Sequence, residues 1–207
     1  MEIKYTCSLG ALCHSAQLLK RNNLKLRSYP FDWIFSSRNN VINCIEDNFE
    51  KFLNKSYYIN IGDTQCGHTF YNSQMWPHHN PLIIENDYNY YVRCVERFKL
   101  LLNSIELKLF TMIFINGEYH NLNENIKNNI ITFNEQFKKY TTNYRLLIII
   151  HLPNQESIHH TFTPIDNIDF IELYTISLSN GVAFIDDNDN IYLDNVLKNN
   201  YNFSKNM

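Results

Sequence analysis

The stretch Tyr144-Arg145-Leu146-Leu147-Ile148-Ile149-Ile150-His151-Leu152 is apolar at nearly every position. A run of this length that is rich in β-branched residues is typical of a strand buried on both faces. It is much shorter than the roughly 20 apolar residues that a membrane-spanning helix needs. The stretch therefore predicts a central strand of a buried, mostly parallel sheet, and it predicts no membrane span.

Strand and helix patterns alternate on both sides of this stretch. The predicted strands are residues 3–9, 57–61, 107–115, 170–177 and 182–185, and the predicted helices are 11–22, 41–53, 87–104, 123–140 and one from 192. Residues 62–81 show neither the period of a helix nor that of a strand, so we expect a long irregular loop there. The alternation predicts a single α/β domain over residues 1–207, with helices on both faces of a mostly parallel sheet.

Charge and cysteine content exclude several classes of protein. The chain of 207 residues has 18 basic and 21 acidic side chains, a net charge of −3. This balance provides no general attraction to nucleic acid or to an anionic membrane, so neither is predicted as a partner. The N-terminus lacks a signal-peptide pattern, and the five cysteines are odd in number and widely spaced. We therefore expect reduced thiols and a cytoplasmic location.

The first candidate for a reactive side chain is Cys13, in the segment Ser8-Leu9-Gly10-Ala11-Leu12-Cys13. A strand, a glycine turn and a helix would place this thiol in the first helical turn, where free N–H groups favour a thiolate. His14 cannot act as its base, because neighbours on a helix point about 100° apart. The alternative is that Cys13 is a small buried hydrophobic residue.

Two further candidates lie in segments restricted by proline. His78 and His79 stand between Pro77 and Pro81, and imidazoles held in a rigid loop are suited to act as a general base. Asp32 lies among aromatic residues, where a carboxylate needs a donor such as an imidazolium. The alternatives are turn-packing histidines and an aspartate that caps the following segment.

The histidines and cysteines do not match a zinc pattern. The two groups considered are Cys66, His68, His78 and His79, and His151, His159 and His160. Neither has paired ligands at the spacing of a structural zinc site, and the chain has no G-x-G-x-x-G, P-loop or H-E-x-x-H motif. No metal and no cofactor are predicted.

Three motifs together resemble a known family. They are S-L-G-x-x-C at 8–13, S-Y-P-F-D-W-I at 28–34 and P-H-H at 77–79. The chain resembles, over about residues 1–115, an uncharacterised family described as papain-like cysteine peptidases. Its asparagine-rich composition resembles that of members from giant DNA viruses, which would place it in the host cytoplasm or the virion.

The resemblance implies Cys13 as the nucleophile and a histidine of the P-H-H segment as the base. His78 is favoured because Trp76 stands two positions before it, but His79 stays open. Asp32 is favoured to orient the imidazole. In papain, however, the order along the chain is Cys, His and then Asn or Asp, which would place the orienting residue after the histidine. The downstream alternatives are Asp186, Asp187 and Asn190. A papain-like α+β fold is the alternative to the α/β fold.

The leading hypothesis is a thiol-dependent hydrolase or acyl transferase that acts on an amide or ester of a protein or small molecule. Ser8 and Gly10 belong to its turn, where backbone N–H groups would stabilise an oxyanion. A second hypothesis is a non-catalytic α/β module that binds a host partner or a small ligand with the aromatic side chains Tyr57, Tyr58, Tyr71, Trp76, Tyr88, Tyr90 and Tyr91. A third is an SGNH-type serine esterase with Ser8 as the nucleophile. The sequence leaves the oligomeric state open.

Overall fold

A five-stranded sheet forms the centre of the computed structural model, which describes residues 2–204. Its strands are β1 (Tyr5–Ser8), β5 (Lys108–Phe114), β6 (Tyr144–Leu152), β7 (His159–Ile165) and β8 (Ile168–Tyr174). They lie in the order β1-β5-β6-β8-β7; all neighbouring pairs are parallel except β7 with β8. This arrangement confirms the predicted α/β fold with a mostly parallel sheet. The α+β alternative does not describe it.

Helices cover both faces of this sheet. They are α1 (Cys13–Arg21), α2 (Arg38–Glu46), α3 (Glu50–Leu53), α4 (Glu85–Leu102), α5 (Glu124–Phe137) and α6 (Asp187–Asn200). Side chains of one strand alternate between two cores: Phe110 packs with α2, α4 and α5, whereas Leu109 packs with α1 and α6. Because both faces are covered, β6 can be apolar along almost its whole length. Within residues 2–204 no helix is both long and apolar enough to span a membrane.

The predicted irregular loop over residues 62–81 is wrong in part, because a second sheet occupies much of it. Strands β2 (Tyr58–Gly62), β3 (Gln65–His68) and β4 (Asn72–Trp76) form an antiparallel three-stranded sheet. Trp76 is fully buried and belongs to the same hydrophobic core as Phe110 of the large sheet. Polar residues on the exposed side of these short strands obscured the period of two.

Several other boundaries differ from the sequence prediction. The helix expected over 41–53 is interrupted at Phe49, which has a left-handed φ of 65°. The strand expected at 182–185 is a loop with one isolated bridge between Ser179 and Phe184. Helix α6 begins at Asp187 instead of 192, because the Asp186 side chain accepts a hydrogen bond from the Asn188 N–H. The edge strand β7, which is largely exposed, was not predicted.

The turn between β1 and α1 confirms the predicted strand–glycine–helix arrangement. Gly10 has φ +89° and Ala11 has φ 67°, so two consecutive residues adopt the left-handed conformation. A Cβ on Gly10 would lie 2.0 Å from the Ser36 Oγ. The Ser36 hydroxyl in turn donates to the Leu9 carbonyl oxygen at 3.3 Å. The turn therefore requires glycine for its backbone conformation and for space.

We expect Gly10→Ala to lower the free energy of unfolding by about 2 to 4 kcal/mol, because it combines φ strain with a steric clash. Urea unfolding monitored by circular dichroism measures the change. Gly181→Ala is the matched control, since Gly181 has φ +90° but open space around its Cα. That control should lose only about 1 kcal/mol. Equal losses in the two variants would contradict the role assigned to Ser36.

Candidate functional site

Cys13 lies at the carboxyl-terminal edge of the large sheet, where parallel α/β folds commonly bind ligands. It is the first residue of α1 and follows the Gly10–Ala11 turn directly. Its side chain is largely buried, with 4% of the residue exposed. The other four cysteines are 0 to 1% exposed. Cys13 is thus the most accessible thiol of the chain, and it is held by a conformationally restricted turn.

The first turn of α1 has backbone N–H groups without a side-chain cap. The residue before the helix is Leu12, which offers no capping oxygen, and the first turn contains no acidic residue. The Gly10 N–H is already used, because it donates to the Ser8 Oγ at 3.1 Å. The N–H groups at the start of α1 beside Cys13 are therefore the available donors for an oxyanion.

The pKa of Cys13 differs from the sequence expectation. Burial raises the pKa of this thiol; its own backbone N–H lowers it in part, and the Asp32 carboxylate adds to the rise. Desolvation of the thiolate thus outweighs the favourable field at the helix start. Cys13 is therefore a neutral thiol near pH 7.

Asp32 lies in a fully packed environment and is committed to structural contacts. One carboxylate oxygen is 2.7 Å from the Lys25 Nζ and accepts a hydrogen bond from the Tyr29 N–H at 2.8 Å. Burial raises the pKa of Asp32 to about 6, although Lys25 opposes this shift. Within residues 2–204 Asp32 has no hydrogen bond to a histidine. These contacts hold the 28–34 loop through residues that precede Asp32, and within the described residues its side chain accepts no hydrogen bond from the segment that follows.

The two histidines of the P-H-H segment have different surroundings. His78 is exposed, whereas His79 is partly buried. The His79 Nδ1 is 3.3 Å from an Asp87 carboxylate oxygen. Its ring stacks on Tyr90 at 5.3 Å between centroids and meets Tyr91 edge-on at 5.6 Å. These contacts fix one orientation of the His79 ring.

Asp87 is a candidate that the sequence analysis missed. It lies in the first turn of α4, and its second carboxylate oxygen accepts a hydrogen bond from the Asn80 N–H at 2.7 Å. This contact joins the loop that carries His78 and His79, called the histidine loop below, to α4. The sequence signal that could have identified Asp87 is an acidic residue in the first turn of the helix that follows the P-H-H segment.

Tyr91 packs against the histidine. Its ring contacts His79, and burial raises the pKa of its hydroxyl, with smaller additions from Tyr90 and Cys94. The Tyr91 Oη is buried and has no hydrogen-bond partner within residues 2–204. The structure thus brings Tyr91, His79 and Asp87 into contact with one another.

The downstream alternatives for the orienting residue, Asp186, Asp187 and Asn190, all lie at the start of α6. Asp186 caps this helix, and Asp187 is the first residue of its first turn. The Asn190 Oδ1 accepts hydrogen bonds from the Phe184 N–H and the Arg21 Nη1. Within residues 2–204 none of the three contacts His78 or His79.

Two cavities share Phe35, and one of them opens beside the Cys13 turn. One has a volume of about 450 Å³ and is bounded by Ala11, Leu12 and Arg38. The other has a volume of about 220 Å³ and is bounded by Trp76 and Pro77, directly before the histidines. Both are of a size to take one side chain or a small acyl group.

A second polar cluster, which the sequence analysis also missed, is buried at the same sheet edge. The His14 Nδ1 is 2.9 Å from the Ser179 Oγ, and the His151 Nε2 is 2.6 Å from the Thr175 Oγ1. Both imidazole rings lie 4.6 Å from the Phe184 ring centroid. Burial lowers the pKa of His14 to about 3 and that of His151 to about 4. Both rings are neutral at pH 7.

The described residues contain no group of three or more histidine, cysteine, aspartate or glutamate side chains that could hold a metal ion. Both ring nitrogens of His68 already take part in hydrogen bonds to the backbone. Its Nε2 is 3.0 Å from the Lys51 carbonyl oxygen, and its Nδ1 accepts a hydrogen bond from the Phe70 N–H.

Comparison with known proteins identifies one family. Residues 4–156 match the model of the family described as "Putative papain-like cysteine peptidase (DUF1796)". The match includes β1, the Cys13 turn, the histidine loop and α4. No curated protein and no solved structure matches the chain significantly.

We expect the folded protein to lose stability between pH 7 and pH 5. The pKa values of His14 and His151 are lowered in the folded state, so the unfolded chain binds protons first as the pH falls below about 6.5. Each histidine should cost about 2 kcal/mol over this interval. Urea unfolding at both pH values measures the free energy of unfolding.

The control is the same pair of measurements on His14→Gln, which cannot titrate. Asp32 acts in the opposite direction, because its raised pKa makes the folded state bind a proton near pH 6. This opposing contribution is common to both proteins and cancels in the comparison. A loss in His14→Gln as large as in the parent protein would show that His14 does not control acid stability.

Proposed function

This chain belongs to the papain-like cysteine peptidase family whose model it matches over residues 4–156, and from that membership we propose that it is a thiol-dependent hydrolase or acyl transferase acting on an amide or ester. The observation that carries the proposal is the position of Cys13. The family motif includes this thiol, which stands at an uncapped helix start next to Ala11 and Leu12, two residues that bound the larger of the two cavities.

Cys13 is the proposed nucleophile and His79 the proposed base. His79 is favoured over His78 because it is partly buried, oriented by Asp87 and packed against Tyr91. Asp87 replaces Asp32 as the proposed orienting carboxylate, since Asp32 is held by Lys25. Cys13 has no hydrogen bond to a histidine within residues 2–204, and such contacts often form only when the substrate binds.

The proposed reaction has two balanced steps. The Cys13 sulfur attacks the substrate carbonyl carbon while His79 accepts the thiol proton, and the resulting oxyanion accepts hydrogen bonds from the N–H groups at the start of α1. The bond to the leaving amine or alcohol then breaks, and His79 returns the proton to that group. Water, or another amine or alcohol in a transferase, then attacks the thioester carbon while His79 accepts its proton. The C–S bond breaks, the acid, amide or ester is released, and His79 returns the proton to the Cys13 sulfur.

A serine-esterase mechanism at Ser8 has little support. Ser8 is fully buried, and its Oγ contacts the Ser15 Oγ and accepts from the Gly10 N–H. A substrate carbonyl could reach this hydroxyl only after the turn opened. Ser8 is better described as a residue that holds the turn.

We expect p-nitrophenyl acetate to acylate Cys13 and to be turned over by the protein. Intact-protein and peptide mass spectrometry would locate the acetyl group, and release of p-nitrophenol would measure turnover. Cys13→Ala should abolish both signals. Cys94→Ala is the matched control, because Cys94 is also buried and close to Asp32. Acylation spread over several cysteines would favour a non-catalytic binding module.

We expect His79→Ala to lower turnover by about 10² to 10⁴-fold, whereas His78→Ala should change it by less than about tenfold. Asp87→Asn should lower turnover by about tenfold or more while the Asn80 N–H keeps an acceptor. Asp32→Asn should mainly lower the free energy of unfolding, by about 3 kcal/mol, because Lys25 would lose its buried partner. A larger loss of turnover in His78→Ala than in His79→Ala would reverse the assignment of the base.

A further inference from the structure

A cationic cavity lies on the 28–34 loop, apart from the proposed active site. It has a volume of about 600 Å³ and is bounded by residues of α1, the following loop and α4. The bounding residues are Lys20, Lys25, Leu26, Arg27, Ser28, Trp33 and Arg97. Four of these seven carry a positive charge and none is acidic. The patch is unexpected in a chain whose net charge is −3.

Lys25 is the structural member of this group. Its Nζ contacts the Asp32 carboxylate at 2.7 Å, the Arg27 carbonyl oxygen at 3.0 Å and the Ser28 Oγ at 2.9 Å. An ammonium group has three N–H donors, so all of them are used. Lys25 therefore forms the wall of the cavity, and Asp32 behind it compensates one of the four charges.

Lys20, Arg27 and Arg97 remain without an ionic partner. Within residues 2–204 none of them has a carboxylate within 4.0 Å. They come from three different segments, yet they line the same cavity. Like charges held together repel one another, so this arrangement is unfavourable for folding unless an anion occupies it.

We propose that this cavity binds a phosphate group, either of a small phosphorylated metabolite or of a phosphorylated side chain. A phosphate has a charge near −2 and three acceptor oxygens, which match cations that approach from three directions. A single carboxylate, with one charge and two oxygens in a plane, would leave part of the positive charge uncompensated. The cavity size fits a small ligand.

Trp33 limits which phosphorylated ligand can bind. The Lys20 Nζ and the Lys25 Nζ lie 5.8 Å and 5.9 Å from its ring centroid, so cations occupy the π surface of the indole. A nucleobase could not stack there without displacing a lysine. The structure therefore favours recognition of the phosphate itself over recognition of single-stranded nucleic acid.

Isothermal titration of the full chain with pyrophosphate at low ionic strength tests the proposal. We expect one site, with an affinity that falls as salt is added. The double variant Arg27→Gln/Arg97→Gln should weaken binding by at least about tenfold. Lys127→Gln/Lys139→Gln removes the same charge from α5 and the residues that follow it, none of which bounds the cavity, and should leave binding unchanged. No binding, or equal weakening by both double variants, would overturn the proposal.

Further ligands separate the sources and classes of anion. Tighter binding of a phosphoserine peptide than of its unphosphorylated form would identify a protein ligand, and binding of pyrophosphate alone a small one. Succinate bound as tightly as pyrophosphate would overturn the assignment to phosphate. A single-stranded RNA bound more tightly than either phosphate ligand would overturn the assignment to a small or peptide ligand.

The same variants distinguish loss of the site from loss of the fold. Without a ligand, Arg27→Gln/Arg97→Gln should unfold at the same or a higher urea concentration than the parent protein, because repulsion is relieved. Pyrophosphate should stabilise the parent but not this variant. A variant that is destabilised without ligand would show that the cations serve the fold, which would also overturn the proposal.

Discussion

The left-handed turn at Gly10 and Ala11 is the constraint on which the arrangement of the site depends. It reverses the chain within two residues after β1, so that α1 begins with Cys13 at the carboxyl edge of the sheet. Ser36 packs against the turn and bonds to the Leu9 carbonyl, which leaves no room for a side chain on Gly10. The position of the thiol is therefore set by backbone geometry and not by side-chain contacts of the thiol itself.

The rest of the proposed site depends on how the small sheet packs against the large one. The histidine loop leaves β4 at Trp76 and is fastened to α4 through Asp87 and the Asn80 N–H. Trp76 and Tyr91 are buried in the core that also contains Phe110 of the large sheet. A shift of α4 would thus move His79 and Tyr91 together relative to Cys13.

The sequence predicted the elements whose pattern comes from burial. The apolar run of β6 and the glycine turn before α1 were recognisable because each reflects one dominant physical requirement. Strand β2 was predicted at 57–61, but β3 and β4 escaped detection, since these short strands are polar on the exposed side and their pairing depends on tertiary contacts. The prediction about Cys13 identified its place in the helix but not its raised pKa, because that pKa depends on burial in the tertiary structure and on the charge of Asp32, which is distant in sequence. The Asp87–His79 contact was missed for the same reason, as it requires knowing how the loop folds back onto α4.

The burial of all five thiols has a consequence for how the motions of this protein can be followed. No cysteine has more than 4% of its surface exposed, so the native chain offers almost no thiol to a reagent in solution. The rate at which each cysteine reacts then measures how often its own region opens. Cys44 and Cys66 report on α2 and the small sheet, whereas Cys7 reports on the edge strand β1. The reduced chain thus carries five built-in reporters of local opening, one of them at the proposed nucleophile.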